Sequence, residues 1–351
     1  MKLLLLNTDL AIGGTPTVVH ELARRLPALG VDTHVACLGG PGPTAKQIVD
    51  DGIDVTAFNV GRLQMRLAVR RLRDLVDQFQ PDAVLSFLMH ANVVAAMARR
   101  KRPGPTWWQS IQTTQPYPAW HWPLQRWAAK RAAGVIAPSR AIAEVAQMRC
   151  RVPNEKIEVI PNGIDAGTIV AIPAEPRGER LQVGFLGRLD PVKNLGVLVA
   201  IAEARPEYDF HIFGDGPQRQ TLDDAIATRT VLNVRMHGFA DRQAALDELD
   251  VLVLPSFHEG FGLVLIEAMA AGVAVIGSGI PGIDEVIRHN ETGLLVHSTA
   301  PDHWRDAIDE LSDPQRRQML ASAALTDVRE RFTWESIVPR YASTLQNVPK
   351  P

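Results

Sequence analysis

Two glutamates eight residues apart flank a glycine loop in Ser256-Phe-His-Glu-Gly-Phe-Gly-Leu-Val-Leu-Ile-Glu-Ala-Met-Ala-Ala-Gly272. Carboxylates so placed could grip a polyol through its hydroxyls, or act as the acid and base of a glycosidase. Gly260 and Gly262 permit tight turns and close approach of a ligand. Leu263 to Ala271 reads as a helix stopped by Gly272, and Val273 to Ile276 as the next buried strand. The unbonded N–H groups at that helix start suit an anion, a phosphate above all. Glu259 is then either a ligand group or a loop carboxylate favoured by the helix dipole. Glu267 is either a ligand group or a solvated helix position. Its almost wholly apolar neighbours demand a partner for it, and a hydroxyl or a ribose could supply one.

Other strand-end loops fit the same chemistry. Gly187-Arg-Leu-Asp-Pro-Val-Lys-Asn194 follows a strand and precedes a helix, which places Arg188 and Lys193 where two cations could neutralise a diphosphate without a metal. The alternative is a pair of surface cations. Phe213-Gly-Asp-Gly-Pro217, with Gly214 and Gly216, ends another strand in a glycine turn. Ser278-Gly-Ile-Pro-Gly-Ile-Asp284 ends a third.

The elements that must position these groups alternate strand and helix, the pattern of parallel sheets with crossover helices. Lys2–Asn7, Val31–Leu38, Ala83–Phe87, Trp107–Ile111, Val135–Ala137 and Ile157–Ile160 form one series. Thr15-Pro16 is expected to cap the helix after the first strand, and that helix to end near Leu29-Gly30. After the breaker-rich Ile172-Pro-Ala-Glu-Pro-Arg-Gly-Glu179, a second series runs through Gln182–Phe185, Tyr208–Phe213, Val234–His237, Val251–Leu254 and Val273–Ile276. The expected architecture is α/β, two doubly wound domains facing a central cleft, with ligands at the carboxyl ends of the strands. Residues 1–170 make the first domain, 171–180 a linker, and 181–332 the second domain.

The 351 residues, 46% hydrophobic and 22% charged, describe a globular protein large enough for two domains. No run of 18 apolar residues occurs, so no spanning helix is expected, and two unrelated cysteines suit a reduced, cytoplasmic protein. The net charge of −2 conceals an asymmetry. Residues 1–165 carry 20 Lys/Arg against 13 Asp/Glu, and the remainder 17 against 26. The first domain is therefore expected to face something anionic. Nucleic acid is disfavoured, because no recognition module is present.

Taken in order, Gly13-Gly14, Ile160-Pro-Asn-Gly-Ile-Asp165, the Gly187–Leu195 loop, Phe213–Pro217, Pro255–Gly262 through Glu267, and Glu291-Thr-Gly-Leu-Leu-Val296 resemble the retaining glycosyltransferases of the GT-B fold, specifically the large family 4. The E-x7-E pair with its Glu-Gly-Phe-Gly loop is the most specific part, and the resemblance spans nearly the whole chain. It implies that Arg188 and Lys193 hold and stabilise the leaving diphosphate. Glu267 would bind the ribose hydroxyls, and Glu259 would lie near the donor sugar. Backbone groups of Phe261, Gly262 and Leu263 would contact sugar and phosphates, with Gly187, Gly214 and Gly216 in the same donor site. Gly14 would let the first domain's loop approach the diphosphate. A nucleotide sugar, UDP-linked, is the implied donor, with neither metal nor cofactor. A helix from Trp334 to about Leu345, within 333–351, would cross back to the first domain. One departure stands out: where many relatives carry a histidine, this chain has Gln112 or a neighbouring threonine, which hydrogen-bonds but carries no charge. His90 and His121 lie nearby in sequence.

On the acceptor side, Trp107, Trp108, Trp120, Trp122 and Trp127 cluster within 21 residues. Arg62, Arg66, Arg70 and Arg73 form one helical stripe, and Leu63, Leu67, Leu72, Leu75, Val76 and Phe79 another. Arg99-Arg-Lys-Arg102 adds more cations. Such a helix either lies on an anionic bilayer with its tryptophans in the interface, or packs in the core with a solvated basic face. The expected function is transfer of a sugar to a glycan or lipid-linked glycan, in polysaccharide, lipopolysaccharide or glycolipid assembly. A sugar-nucleotide-binding scaffold of the same fold is the alternative. A nicotinamide oxidoreductase ranks lower, since no Gly-x-Gly-x-x-Gly follows the first strand.

Overall fold

Apolar runs too continuous for a one-sided sheet become parallel strands covered on both faces. The computed structural model describes residues 1–61, 64–99, 104–113, 119–165 and 178–346. They group into two units, one of Met1–Gly163 with the chain from Trp334 onward, the other of Ile164–Thr333. Of the stretch expected as a linker, 171–177 lies outside the described residues.

The first unit holds Lys2–Asn7 (β1), Asp32–Cys37 (β2), Val55–Ala57 (β3), Ala83–Phe87 (β4), Thr106–Ser110 (β5), Gly134–Ala137 (β6) and Ile157–Val159 (β7). All pair in parallel in the order β3-β2-β1-β4-β5-β6-β7. The second holds Gln182–Leu186 (β8), Asp209–Phe213 (β9), Val234–Gly238 (β10), Val251–Leu254 (β11), Ala274–Ser278 (β12) and Leu294–Val296 (β13). These too are parallel, in the order β10-β9-β8-β11-β12-β13. Both units are therefore doubly wound, as expected. The strand order reverses between β1 and β4 in one and between β8 and β11 in the other, and such folds bind ligands beyond the carboxyl ends of those strands. Each switch is pinned at its opposite end by an aspartate. Asp82 accepts from Lys2 N at 2.7 Å, and Asp250 accepts from Gln182 N at 2.9 Å.

The central strands are closed to water: Leu3, Leu4, Leu5 and Leu6 of β1 and Val251, Leu252 and Val253 of β11 have no accessible surface. β3 and β13, not foreseen as strands, are three-residue strands at the sheet edges, too short to show a period. The first helix begins at Gly14 with Gly13 as its N-cap, so Pro16 lies inside the first turn, not at the cap. The helix Trp334–Gln346 buries Trp334, Ile337, Val338, Tyr341, Ala342 and Leu345. It joins the first unit through Glu335, paired with Arg25 at 2.6 Å, and Arg340, which donates to Val159 O at 2.7 Å.

The turn after β9 packs glycine backbone directly on backbone. Gly214 has a φ of +124°, and a Cβ there would lie 1.9 Å from Gly187 O. A Cβ on Gly216 would lie 2.6 Å from Leu189 O. The Gly214–Gly216 turn thus carries the Arg188 loop on its own main chain, with Leu189 N donating to Asp215 O at 3.0 Å. Gly214→Ala is expected to cost about 3 kcal/mol or more. A fall of roughly 6–12 °C in thermal midpoint would register it; an unchanged midpoint would show that the two loops are not locked together.

Candidate active site

The loop after β8 is a short turn, Pro191–Lys193, whose N-cap Asp190 accepts from Val192 N at 3.3 Å. Asn194 closes it in the left-handed conformation, with its N–H donating to Pro191 O at 3.3 Å. The loop after β11 is tied to it by Phe257 N, donating to Val192 O at 2.8 Å. Across this tie Lys193 Nζ meets Glu259 Oε2 at 2.5 Å, both side chains less than one-fifth exposed. Ser256 Oγ reaches the same carboxylate oxygen at 3.5 Å. The pair spans the β8/β11 switch point. Arg188 is different in kind, 70% exposed and only 3.7 Å from Asp190, a cation with little to hold it.

Gly262 caps the helix Leu263–Ala270 with φ 71° and ψ 50°, a left-handed conformation that any side chain would strain. No side chain caps that helix start, and its first turn holds no acid. The Phe261 ring points away, buried edge-to-face on Phe332 at 5.6 Å, so only its backbone is left for a ligand. Gly282, in the loop after β12, sits against the Glu259 and Gly260 carbonyls, where a Cβ would come within 2.7 Å. The strand-end loops after β8 and β12 therefore fix the glutamate loop in place from two sides.

Glu267, on this helix, is 6% exposed and ion-paired to Arg242. Burial pushes its carboxyl above the ordinary glutamate range, and the Arg242 charge only partly offsets that. The partner its apolar setting demands is thus a guanidinium, from the first residue of the short helix Arg242–Asp247, with Asp241 as N-cap. The two glutamates share a loop and helix, yet each is matched to its own cation.

In the first unit a cavity of about 550 Å³ lies over the β1/β4 switch point. It is lined by Thr8 and Asp9 after β1, His90 after β4, and Gln112, His121 and Trp122 further on. Gln112 donates to Ser110 Oγ at 2.6 Å and accepts from Asn162 Nδ2 at 3.3 Å, so it is held rather than loose. His90 and His121 meet edge-to-face at 5.7 Å. Burial, with the His90 ring adding to it, lowers the His121 pKa and keeps its imidazole neutral near pH 7. Under the cavity runs a buried chain of neutral groups. Ser86 Oγ donates to Asn92 Oδ1 at 2.8 Å, Asn92 Nδ2 to Gln125 Oε1 at 3.1 Å, and Gln125 Nε2 to Gln109 Oε1 at 3.1 Å. Gly14 begins its helix with neither a side-chain cap nor an acid in the first turn.

The structure corrects the tryptophan reading. Trp107 and Trp108 are 8% and 7% exposed: Trp107 sits in the core with Leu4 and Leu72, and the Trp108 ring covers Gly134. Neither can meet an acceptor or a bilayer. Trp120 is 57% exposed and packs on His121 at 4.1 Å. The basic helix, Met65–Phe79 as described, spends its apolar stripe in the core, with Ala68, Val69, Leu72 and Leu75 buried. Arg73 is tied to Met97 O and Ala98 O. Arg66 and Arg70 keep a solvated face, so the helix offers charge but no face to insert. Arg62, Leu63 and 100–102 lie outside the described residues. No helix among the described residues is long and apolar enough to cross a membrane.

Residues 12–167 match the family described as Glycosyltransferase Family 4, and residues 172–326 the family described as Glycosyl transferases group 1. The chain belongs to glycosyltransferase family 4, with the GT-B fold. It is 30% identical to the 2-deoxystreptamine glucosyltransferase of Streptomyces kanamyceticus over 192 residues, 49% of each chain. It is 32% identical to the D-inositol 3-phosphate glycosyltransferase of Mycobacteroides abscessus over 200 residues, 52% of this chain and 44% of that one. The alignments thus span about half the length of these curated relatives. The fold likeness is broader. The crystal structure of Anabaena HepE in complex with UDP-glucose superposes with a TM-score of 0.87 at 24% identity, over 98% of this chain and 99% of that one.

Two parts of this family 4 site escaped sequence reasoning. Arg242 lies 25 residues before Glu267 in a polar stretch without a motif, and only the fold brings them together. The Ser86–Asn92–Gln125–Gln109 chain draws neutral side chains from four elements, and no spacing rule links them.

Proposed function

We propose that this family 4 chain is a retaining glycosyltransferase that moves a hexosyl group from a UDP-sugar to a hydroxyl of a glycan or lipid-linked glycan, with no metal taking part in the transfer. The observation that carries the reading is the Lys193–Glu259 pair at the β8/β11 switch point, beside the uncapped start of the helix Leu263–Ala270. A diphosphate leaving group gains negative charge as the anomeric carbon turns positive, and preorganised cations with free N–H groups stabilise that change. Lys193 and Arg188 meet the diphosphate, backbone groups of Phe261, Gly262 and Leu263 the phosphates and sugar, Glu259 the sugar hydroxyls, and Glu267 the ribose. Gly187, Gly214 and Gly216 shape the Arg188 loop, and Gly14 opens an uncapped helix start that suits an anion. Glu259, ion-paired to Lys193 beside the uncapped helix start, is placed to accept from sugar hydroxyls, which favours substrate binding over a glycosidase role.

The first unit's cavity is the acceptor site, with Gln112, His90 and His121 as hydrogen-bonding groups and Trp122 as a sugar-facing wall. Its volume suits one or two hydroxylated rings. Names of the relatives, a 2-deoxystreptamine and an inositol phosphate transferase, put small cyclic polyols in the acceptor panel beside lipid-linked glycans. Assembly of a polysaccharide, lipopolysaccharide or glycolipid is the setting.

A thermal-shift screen over nucleotide sugars tests the donor. A ligand at 100 times its Kd adds about 2.7 kcal/mol of apparent stability, and UDP-sugars are expected to give the largest rise in midpoint. With the best donor, NMR of the product is expected to show the donor's own anomeric configuration, and turnover to persist in EDTA. No shift with any nucleotide sugar, or an inverted product, would overturn the reading.

A further inference from the structure

Away from the loops just described, His211 on β9, His237 on β10 and Glu248, the C-cap of the helix Arg242–Asp247, converge at one edge of the second sheet. We propose that these three side chains bind a divalent transition metal of the zinc class. Their ligand atoms lie within 4.8 Å of one another. His211 Nδ1 is 3.0 Å from His237 Nε2 and 3.5 Å from Glu248 Oε2. A tetrahedral zinc with its usual bond lengths to nitrogen separates two ligand atoms by about 3.3 Å. The two separations from His211 are within a few tenths of an ångström of that value, and the third, between His237 and Glu248, is at most 4.8 Å, so rotation of the exposed Glu248 side chain completes the closure.

The orientation of His211 is set as in metal sites, by the nitrogen that does not ligate. His211 is 2% exposed, and its Nε2 stands 2.7 Å from Gln182 Oε1. The Gln182 amide cannot be turned over, because its Nε2 donates to Arg180 O at 2.8 Å and Asp209 Oδ2 at 3.3 Å. His211 Nε2 therefore carries the proton, and Nδ1 presents a lone pair. His237 is held by its ring, stacked on Phe213 at 4.2 Å. Without metal, His237 Nε2–H donates to that lone pair. With metal, the bond breaks, the His237 proton moves to Nδ1, and both lone pairs turn to the ion. His237 and Glu248 are exposed, which gives an ion access and leaves a fourth position for water. Two imidazoles and one carboxylate favour zinc, cobalt or nickel over magnesium or calcium.

The ligands come from three elements, so no sequence motif marks the site. Occupancy would fasten one end of the helix Arg242–Asp247 to the sheet, while its other end holds Glu267 through Arg242.

Titration of the full chain, prepared without a polyhistidine tag, tests the proposal with no need for activity. Zn2+ and Co2+ are expected to bind at one equivalent, with the visible absorption of tetrahedral Co2+ and a rise in thermal midpoint, while Mg2+ does neither. Glu248→Ala removes a surface side chain, so the metal-free variant should keep the parent midpoint, whereas His237→Ala also takes a ring from Phe213 and a donor from buried His211 and should lower it. Both should lose about 100-fold or more in affinity. Gln182→Leu, which frees His211, is expected to lose about 10–100-fold. His121→Ala should bind as the parent does. Absence of saturable Zn2+ binding, or binding that survives His237→Ala, would overturn it; the second result would assign the metal to another histidine pair.

Discussion

Lys193→Ala is expected to lower turnover about 10³-fold, with kcat and kcat/KM falling together. The charge that Lys193 offsets is developed mainly in the transition state, as the diphosphate departs, so its loss raises the barrier more than it weakens donor binding. Loss of one preorganised donor to a developing anion costs about 10²–10³-fold, and a full cation on a phosphoryl group about 10³–10⁵-fold. Lys193 belongs nearer the cation range because its ammonium is four-fifths shielded and already aimed by Glu259 at 2.5 Å. Arg188 should cost less, about 10²-fold on Arg188→Ala, since a guanidinium 70% exposed is screened by water until a donor covers it. The structural cost of Lys193→Ala is small: Glu259 keeps about one-fifth of its surface and its Ser256 contact, so about 1 kcal/mol of stability is at stake. Steady-state kinetics with a saturating acceptor, and a thermal midpoint for each variant, separate the two effects. A Lys193→Ala enzyme within tenfold of the parent in kcat would remove Lys193 from leaving-group stabilisation.

Much of the fold was legible because its strands are buried on both faces. Such strands read as unbroken apolar runs, as in Leu3–Leu6 and Val251–Leu254, and their alternation with helices dictates parallel sheets. The same property misled at Trp107 and Trp108. Adjacent residues on a strand point to opposite faces, and in a two-faced sheet both faces are core, so neighbouring tryptophans need not mark a surface. The glutamate loop was legible because its glycines, its helix start and both acids lie within 17 residues of chain. What completes it was not: Lys193 and Glu259 are 66 residues apart, and the geometry that pairs them is the sheet's order reversal, a property of topology. The basic helix was read correctly as amphipathic, but periodicity cannot say whether an apolar stripe meets a sheet or a bilayer. Leu72 and Ala68, fully covered by the first unit, decide for the sheet.

Glu267→Gln is expected to hold or raise stability at neutral pH while raising donor KM about 10–100-fold. A carboxylate that serves only the fold would behave the other way. Burial raises the Glu267 pKa above its ordinary value of 4.5, so the folded protein holds this proton more tightly than the unfolded chain. Its contribution is therefore most favourable below pH 4.5 and is lost as pH rises through the folded pKa. At pH 7 the buried charge is a liability, which the amide removes, and Arg242, nearly half exposed, stays hydrated without its partner. The loss is in recognition: an ionised carboxylate accepts from two ribose hydroxyls, an amide oxygen accepts less strongly, and hydrogen bonds to charged groups contribute about 1.5–3 kcal/mol. Arg242→Ala inverts the outcome by leaving the carboxylate buried and unpaired. Breaking a fully buried pair costs about 3–5 kcal/mol, and the exposure of Arg242 brings the expectation to about 2 kcal/mol at pH 7. That deficit should shrink as pH falls and Glu267 takes up a proton. The double variant should recover the stability and keep the poor donor KM, a coupling that thermal midpoints and donor kinetics from pH 5 to pH 8 would expose. Equal destabilisation by Glu267→Gln and Arg242→Ala, with donor KM unmoved, would make the pair a structural clamp and take the ribose away from Glu267.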